Sequence, residues 1–149
     1  MIEEFLQDIK ALGGLPFYAI IILLFVVLTD YQIAFTLFIA LIAAYAVTIL
    51  IRSIYFKQRP KKVKYKTRLE KLDASSFPSL HTIRAVILGV VLATAISSPL
   101  FSMLVIPCVI LAAYARVKLQ RHHLIDVFAG VVLGIVIALG AIWVSNLLF

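Results

Sequence analysis

The sequence predicts an all-α fold: a polytopic membrane helix bundle of about five transmembrane helices, preceded by an amphipathic helix lying in the interface. Three observations carry that expectation. Hydrophobic residues fill 64% of the 149 positions, against roughly 45–50% in soluble domains, and mean hydropathy is +1.11. The apolar residues form charge-free runs near span length, divided by short polar turns. The charges, netting +7, are gathered in a few places. A chain of this length has room for one domain, 1–149. Its start lacks the basic flank and small-residue cleavage site of a signal peptide, so no segment is expected to be removed. The single Cys108 lies in an apolar run, which excludes a disulfide framework or a cysteine metal cluster. The positive balance suggests anionic partners. Membrane lipids fit; nucleic acid does not, because the basic residues adjoin spans and form no reader motif.

Residues 1–12 place Ile2, Phe5, Leu6 and Ile9 at helical spacing, with Glu3, Glu4, Asp8 and Lys10 elsewhere. That is the pattern of the interfacial helix, and Gly13-Gly14 ends it. A first span is expected over about 15–29, then a tight turn at Thr29-Asp30-Tyr31, then a second span over 32–51. Residues 52–77 form the long polar segment, with eight Lys/Arg between Lys57 and Lys71; they read as a solvated basic loop near anionic headgroups. Ser75-Ser76-Phe77-Pro78 has the character of a helix start, and a third span follows over 81–96. Ser97-Ser98-Pro99 makes the next tight turn. A fourth span covers 100–114, with a kink expected at Pro107, and a fifth covers 127–149. In the fifth, Gly130-x-x-x-Gly134 permits close helix contact, within the bundle or in a homo-oligomer.

Counting spans puts the polar segments around 52–77 and 115–125 on one side of the membrane. Three clusters then converge: Arg52 with Arg59-Pro60, Ser79 with His81, and Arg116 with His122 and Asp126. Guanidinium groups, a hydroxyl and two imidazoles suit a phosphate oxyanion. His122 and Asp126 are four apart, so on a helix they would share a face, and the carboxylate could fix the ring tautomer and sharpen the other nitrogen as a nucleophile. His123 is expected to face solvent or headgroups, Arg84 to snorkel to the interface, and Tyr114 and Trp143 to be interfacial aromatics. All fourteen Lys/Arg fall on the side of these clusters, so the positive-inside rule predicts a site on the cytoplasmic face of the cell membrane.

On three motifs the chain resembles the type 2 phosphatidic acid phosphatase superfamily, which includes the vanadium haloperoxidases. Arg52-x6-Arg59-Pro60 matches the first, with Arg for Lys. Pro78-Ser79-Leu80-His81 matches the second, with Leu for Gly. Ala115-Arg116-x5-His122-x3-Asp126 matches the third, with Ala for Ser. Membrane members usually have six spans, and here the amphipathic helix stands in the place of the first. The resemblance implies a lipid phosphate phosphatase working without metal or other cofactor through a phosphohistidine. His122 would attack phosphorus, Asp126 would hold its ring, and His81 would protonate the leaving oxygen. Arg52, Arg59, Arg116 and Ser79 would bind the phosphate oxygens. Two alternatives stand beside it: a divalent metal site at His122, His123 and Asp126 for hydrolysis or transport, and a non-catalytic lipid-binding protein. A phosphatidate-like monoester, phosphatidylglycerol phosphate and an isoprenoid diphosphate all suit the chemistry.

Overall fold

The computed structural model describes residues 2–149; Met1, the first residue of the expected amphipathic helix, lies outside the described residues, as do the side chains of Ile2, Glu3 and Lys10. Seven α-helices follow one another, with no strand among the described residues: α1 (Ile2–Ile9), α2 (Leu15–Val27), α3 (Tyr31–Ile54), α4 (Arg68–Ala74), α5 (Leu80–Ile96), α6 (Pro99–Lys118) and α7 (Leu124–Leu148). A 3-10 turn, Lys10–Gly13, joins α1 to α2 across a 47° bend. α1 rests against α6, with Leu6 turned inward and Phe5 exposed, as an interfacial helix with one apolar side would.

α3, α6 and α7, with 24, 20 and 25 residues, are long and apolar enough to cross a bilayer. α5 has only 17 residues and differs in kind from the expected third span. It is the axis of the bundle, packed on α7, α6 and α3, and residues 82–89 are buried without a break. A helix surrounded by protein need not match the hydrocarbon thickness. α2 is shorter still, at 13 residues, and is tied to α3 by the buried Tyr18 hydroxyl, which donates to the Leu37 carbonyl at 2.9 Å.

The two tight turns form as expected. Asp30 caps α3 by accepting from the Ile33 amide at 3.1 Å. Ser98 caps α6, with Pro99 in its first turn, where a missing N–H is harmless. α6 continues as one helix through Pro107. The basic segment is less uniform than its composition suggested. α3 runs on to Ile54, so Arg52 lies in its last turn, and α4 forms behind a capping box in which Thr67 and Glu70 each accept from the other's backbone amide.

Gly130 and Gly134 are spent inside the chain. A Cβ at Gly134 would meet the Val86 side chain at 2.7 Å, and one at Gly130 would meet the Ser79 carbonyl at 2.9 Å. The two glycines therefore let α7 close on α5, the small-residue contact of membrane bundles, and both are buried within the chain.

Candidate active site

One end of the bundle gathers the end of α3, the start of α5, the end of α6 and the start of α7. Between them is a cavity of about 260 Å³ lined by Tyr45, Arg52, Arg59, Asp73, Leu80, His81, Arg84, Arg116 and His122. All three of the expected phosphate-binding arginines are there, with both expected catalytic histidines.

Each arginine reaches the cavity with part of its donor fork unused. Arg52 donates from Nη1 to the Leu72 carbonyl and from Nη2 to the Pro78 carbonyl, both at 3.0 Å. Arg59 donates from Nη2 to the Asp73 carbonyl. The Nε atoms of Arg52, Arg59 and Arg116 are buried without a partner; the only other such side-chain atom among the described residues is the Thr48 hydroxyl. Buried polar groups are normally paired, and three arginines that line one cavity and each keep an unpaired donor make a cationic wall of the kind that an anion with several oxygens fits. Burial lowers the Arg59 guanidinium from its usual value, as does neighbouring Arg121, while the Asp73 carboxylate opposes both.

His122 sits in the loop before α7 and is 3% exposed. Its Nδ1 lies 2.6 Å from the Ser76 carbonyl oxygen. A carbonyl only accepts, so Nδ1 carries the hydrogen and Nε2 keeps its lone pair. Burial first, then the Arg116 guanidinium, push this ring down to about 3 from 6.5. It is therefore neutral near pH 7, the state a nitrogen nucleophile needs.

The structure gives the ring-holding role to Ser76 and not to Asp126. α7 begins only at Leu124, with His123 as its N-cap, so His122 precedes the helix and the four-residue spacing does not align it with Asp126. The Asp126 carboxylate, fully buried, instead accepts from Lys57 Nζ at 2.6 Å, from the His123 amide at 2.8 Å and lies 3.2 Å from His123 Nδ1. It is a helix cap and a cross-loop anchor. His123, half exposed, is its capping partner.

Ser79 is likewise placed otherwise than expected. Its hydroxyl oxygen is fully buried and accepts from Thr82 Oγ1 at 2.9 Å, and its amide donates to the Asp126 carbonyl at 3.0 Å. It is the N-cap position of α5 and not a cavity wall. Leu80, where the family motif has glycine, is the first residue of α5 and has no positive φ, so nothing in the backbone here requires glycine. Arg84 does not snorkel. It is buried, donating from Nε to the Gly13 carbonyl at 2.9 Å and from Nη1 to the Tyr45 hydroxyl at 2.8 Å.

Sequence reasoning missed Ser76, Lys57 and Tyr45. Ser76 acts through a carbonyl, which no residue type announces. Lys57 was one of eight basic residues in its segment, with no spacing to single it out.

Against known proteins, the PAP2 superfamily profile matches residues 33–148. None of the curated proteins matches. Among solved structures, the chain is similar to the crystal structure of LpxE from Aquifex aeolicus, with a TM-score of 0.80 at 18% identity, covering 95% of this chain and 86% of that one. The shared fold includes the helices that frame the cavity.

Proposed function

The chain belongs to the PAP2 superfamily, and from that premise we propose that it is a membrane lipid phosphate phosphatase working through a phosphohistidine on His122. The observation that carries the reading is the set of three buried, unpaired guanidinium Nε atoms around a cavity that also holds His81 and His122. Phosphoryl transfer asks mainly for positioning and charge neutralisation, and these residues supply both.

In this reading Arg52, Arg59 and Arg116 hold the non-bridging oxygens. The His122 Nε2 lone pair forms an N–P bond as the P–O bond to the lipid breaks, its electron pair staying on oxygen. His81 gives that oxygen a proton from Nε2. Water then attacks phosphorus, the N–P pair returns to His122, and the water proton restores His81. Inorganic phosphate and a lipid alcohol leave; a diphosphate would lose its terminal phosphate in the same way. Asp126 acts indirectly, by tying Lys57 and the start of α7 together.

Metal independence is part of the proposal. Four of the nine residues lining the cavity are arginines and Asp73 is its one carboxylate, which suits an anion better than a divalent ion. The test is phosphate release from phosphatidate, phosphatidylglycerol phosphate and an isoprenoid diphosphate, with EDTA and with vanadate. Turnover that survives EDTA, stops with vanadate and leaves an acid-labile phosphoenzyme is expected. Release that needs an added divalent ion would return the metal reading, and no release from any lipid would return the non-catalytic one.

The reading puts the site on the cytoplasmic face, following the charge asymmetry. Single cysteines at Lys64 and Asn146, in a Cys108→Ser background, report this in intact cells. An impermeant reagent should label Asn146→Cys and spare Lys64→Cys; the reverse would put hydrolysis outside the cytoplasm.

A further inference from the structure

Four arginines border the cavity, and one differs from the rest. Arg52, Arg59 and Arg116 each leave a buried Nε unpaired. Arg84 instead has each end of its fork engaged: Nε on the Gly13 carbonyl at 2.9 Å, Nη1 on the Tyr45 hydroxyl at 2.8 Å, and Nη2 at 3.4 Å from His81 Nδ1. The guanidinium also lies over the Tyr45 ring, 5.8 Å from its centroid, a cation–π distance. A side chain held at so many points has little left for a phosphate.

The contact with His81 has a chemical consequence. Guanidinium can only donate and has no lone pair to offer. Facing it, His81 Nδ1 must accept, so the hydrogen of the neutral ring belongs on Nε2. This is the opposite tautomer from His122, whose Nδ1 faces a carbonyl. The two histidines of one cavity are thus set in complementary states by what stands behind each: a donor behind His81, an acceptor behind His122. One offers a proton and the other a lone pair.

Resting on the phosphatase reading, we propose that Arg84 is the positioning residue of the reaction: it holds His81 in the Nε2–H tautomer, with that proton available to the leaving oxygen. A neutral imidazole locked in one tautomer can act as an electrophile. The clamp extends to the N-terminal segment, because the Gly13 carbonyl holds Arg84 from the other side. That approach requires glycine: a Cβ at Gly13 would sit 2.5 Å from the His81 carbonyl oxygen. The turn after the interfacial helix is therefore built against the catalytic histidine through both its backbone and Arg84.

The experiment is ring-nitrogen NMR of the full chain in detergent, with labelled histidine, His81 being assigned by its loss in His81→Asn. In the parent, His81 should give the Nε2–H pattern and His122 the Nδ1–H pattern. Arg84→Lys, still a pure donor, should keep the His81 pattern. Arg84→Met should convert it to a mixture. Turnover of an alkyl phosphate lipid, whose leaving oxygen needs the proton, should fall at least about tenfold in Arg84→Met, while turnover of an aryl phosphate falls much less. Tyr45→Phe, which removes one hydroxyl and little else, should give the same leaving-group bias in milder form. A parent His81 with hydrogen on Nδ1 overturns the proposal whether or not any variant folds, and so do equal losses on alkyl and aryl substrates. Absence of phosphate release from the parent would sink the phosphatase reading, a result separable from the tautomer seen by NMR.

Discussion

The bundle has a polar cavity at each end, and the larger one is not the candidate active site. At the far end about 420 Å³ is lined by Asp30, Gln32, Thr36, Thr94 and Asn146, among others. Its polar groups are neutral or acidic, and they look after one another: Gln32 Nε2 donates to Asn146 Oδ1 at 2.9 Å, and Asp30 caps its own helix. At the near end a cavity of about 260 Å³ holds four arginines and two histidines, three of the arginines with buried donors unused. The comparison teaches that unspent hydrogen-bonding capacity, and not volume, separates a site from a gap between helix ends. It also separates two ways of making an end. The turns of the far end are set by local devices, a cap or a proline within a few residues, and the Gln32–Asn146 bond ties its helix ends together. The near end is assembled by bonds across the sequence, such as Arg52 to Pro78, Lys57 to Asp126 and His122 to Ser76.

The largest expected effect tests this separation directly. His122→Ala should lower turnover by at least about 10³-fold, while Gln32→Ala and Asn146→Ala at the far cavity leave it unchanged and His123→Ala keeps most of it. Equal losses at the two ends, or a dead His123→Ala beside an active His122→Ala, would break the assignment. The same residue fixes a pH expectation. With His122 held down to about 3, its ring stays neutral from about pH 5 to pH 8, so kcat/KM should show no acid limb from it in that window. The unfolded ring takes up its proton near 6.5. Folding stability should therefore fall as pH drops below that value towards 3, and His122→Gln should flatten the decline of Tm.

Next comes Arg52. As a phosphate-binding cation it should retain measurable activity as Arg52→Lys, whereas Arg52→Met should lose about 10²–10³-fold in kcat, the scale of removing one preorganised donor to a developing charge. Arg52 also holds the carbonyls of Leu72 and Pro78, so Tm of each variant must be followed alongside. Loss of activity in proportion to loss of Tm would make Arg52 a strut and not a ligand.

How much of this was legible follows from the same contrast. The far-end turns were readable because Asp30, Ser98 and Pro99 act within three residues of themselves. The arginines and histidines of the site were readable because their charge is costly beside hydrocarbon and because they fall at three motif spacings, Arg52-x6-Arg59-Pro60, Pro78-Ser79-Leu80-His81 and Arg116-x5-His122. Their partners were not. The His122–Asp126 pairing assumed that both residues sit on one helix, and α7 starts two residues after His122. The capping box of α4 was present in Thr67-x-x-Glu70 and went unread because the basic residues around it read as a loop. That α5 would be the buried axis could not be read from hydropathy, since an apolar helix facing protein and one facing lipid have the same composition.

A smaller effect compares a long-range anchor with a local one. Lys57→Met leaves the fully buried Asp126 carboxylate with its contacts to His123 and to the Ser76 side chain. Removing one partner of a charge-assisted bond in such a place costs about 1–3 kcal/mol. Asp30→Ala removes a helix cap and costs about 1 kcal/mol. Both should lower Tm, but only Lys57→Met should also lower kcat, because the start of α7 and the His122 loop depend on that anchor. A kcat unchanged in Lys57→Met would mean that the Ser76 carbonyl and the Lys61–Gln120 backbone bond hold the His122 loop without that anchor.

The smallest expected effect asks whether the two ends differ even where their backbones agree. Ser97, closing α5 at the far end, and Gln120, between α6 and α7 at the near end, both adopt left-handed conformations, with φ of 50° and 54°. For a residue with a Cβ this costs about 1–2 kcal/mol, and glycine removes that strain while adding some freedom to the unfolded chain. Ser97→Gly also gives up the exposed bond from Ser97 Oγ to the Thr94 carbonyl, so its gain should be the lesser. Gln120 holds the near end through its backbone: its carbonyl accepts from the Lys61 amide at 3.0 Å, and glycine keeps that carbonyl. Gln120→Gly should therefore raise Tm slightly and leave kcat unchanged, although the residue stands beside Arg121 and His122. A fall in kcat for Gln120→Gly, with none for Ser97→Gly, would show that the near end uses the strained turn itself to hold the histidine loop.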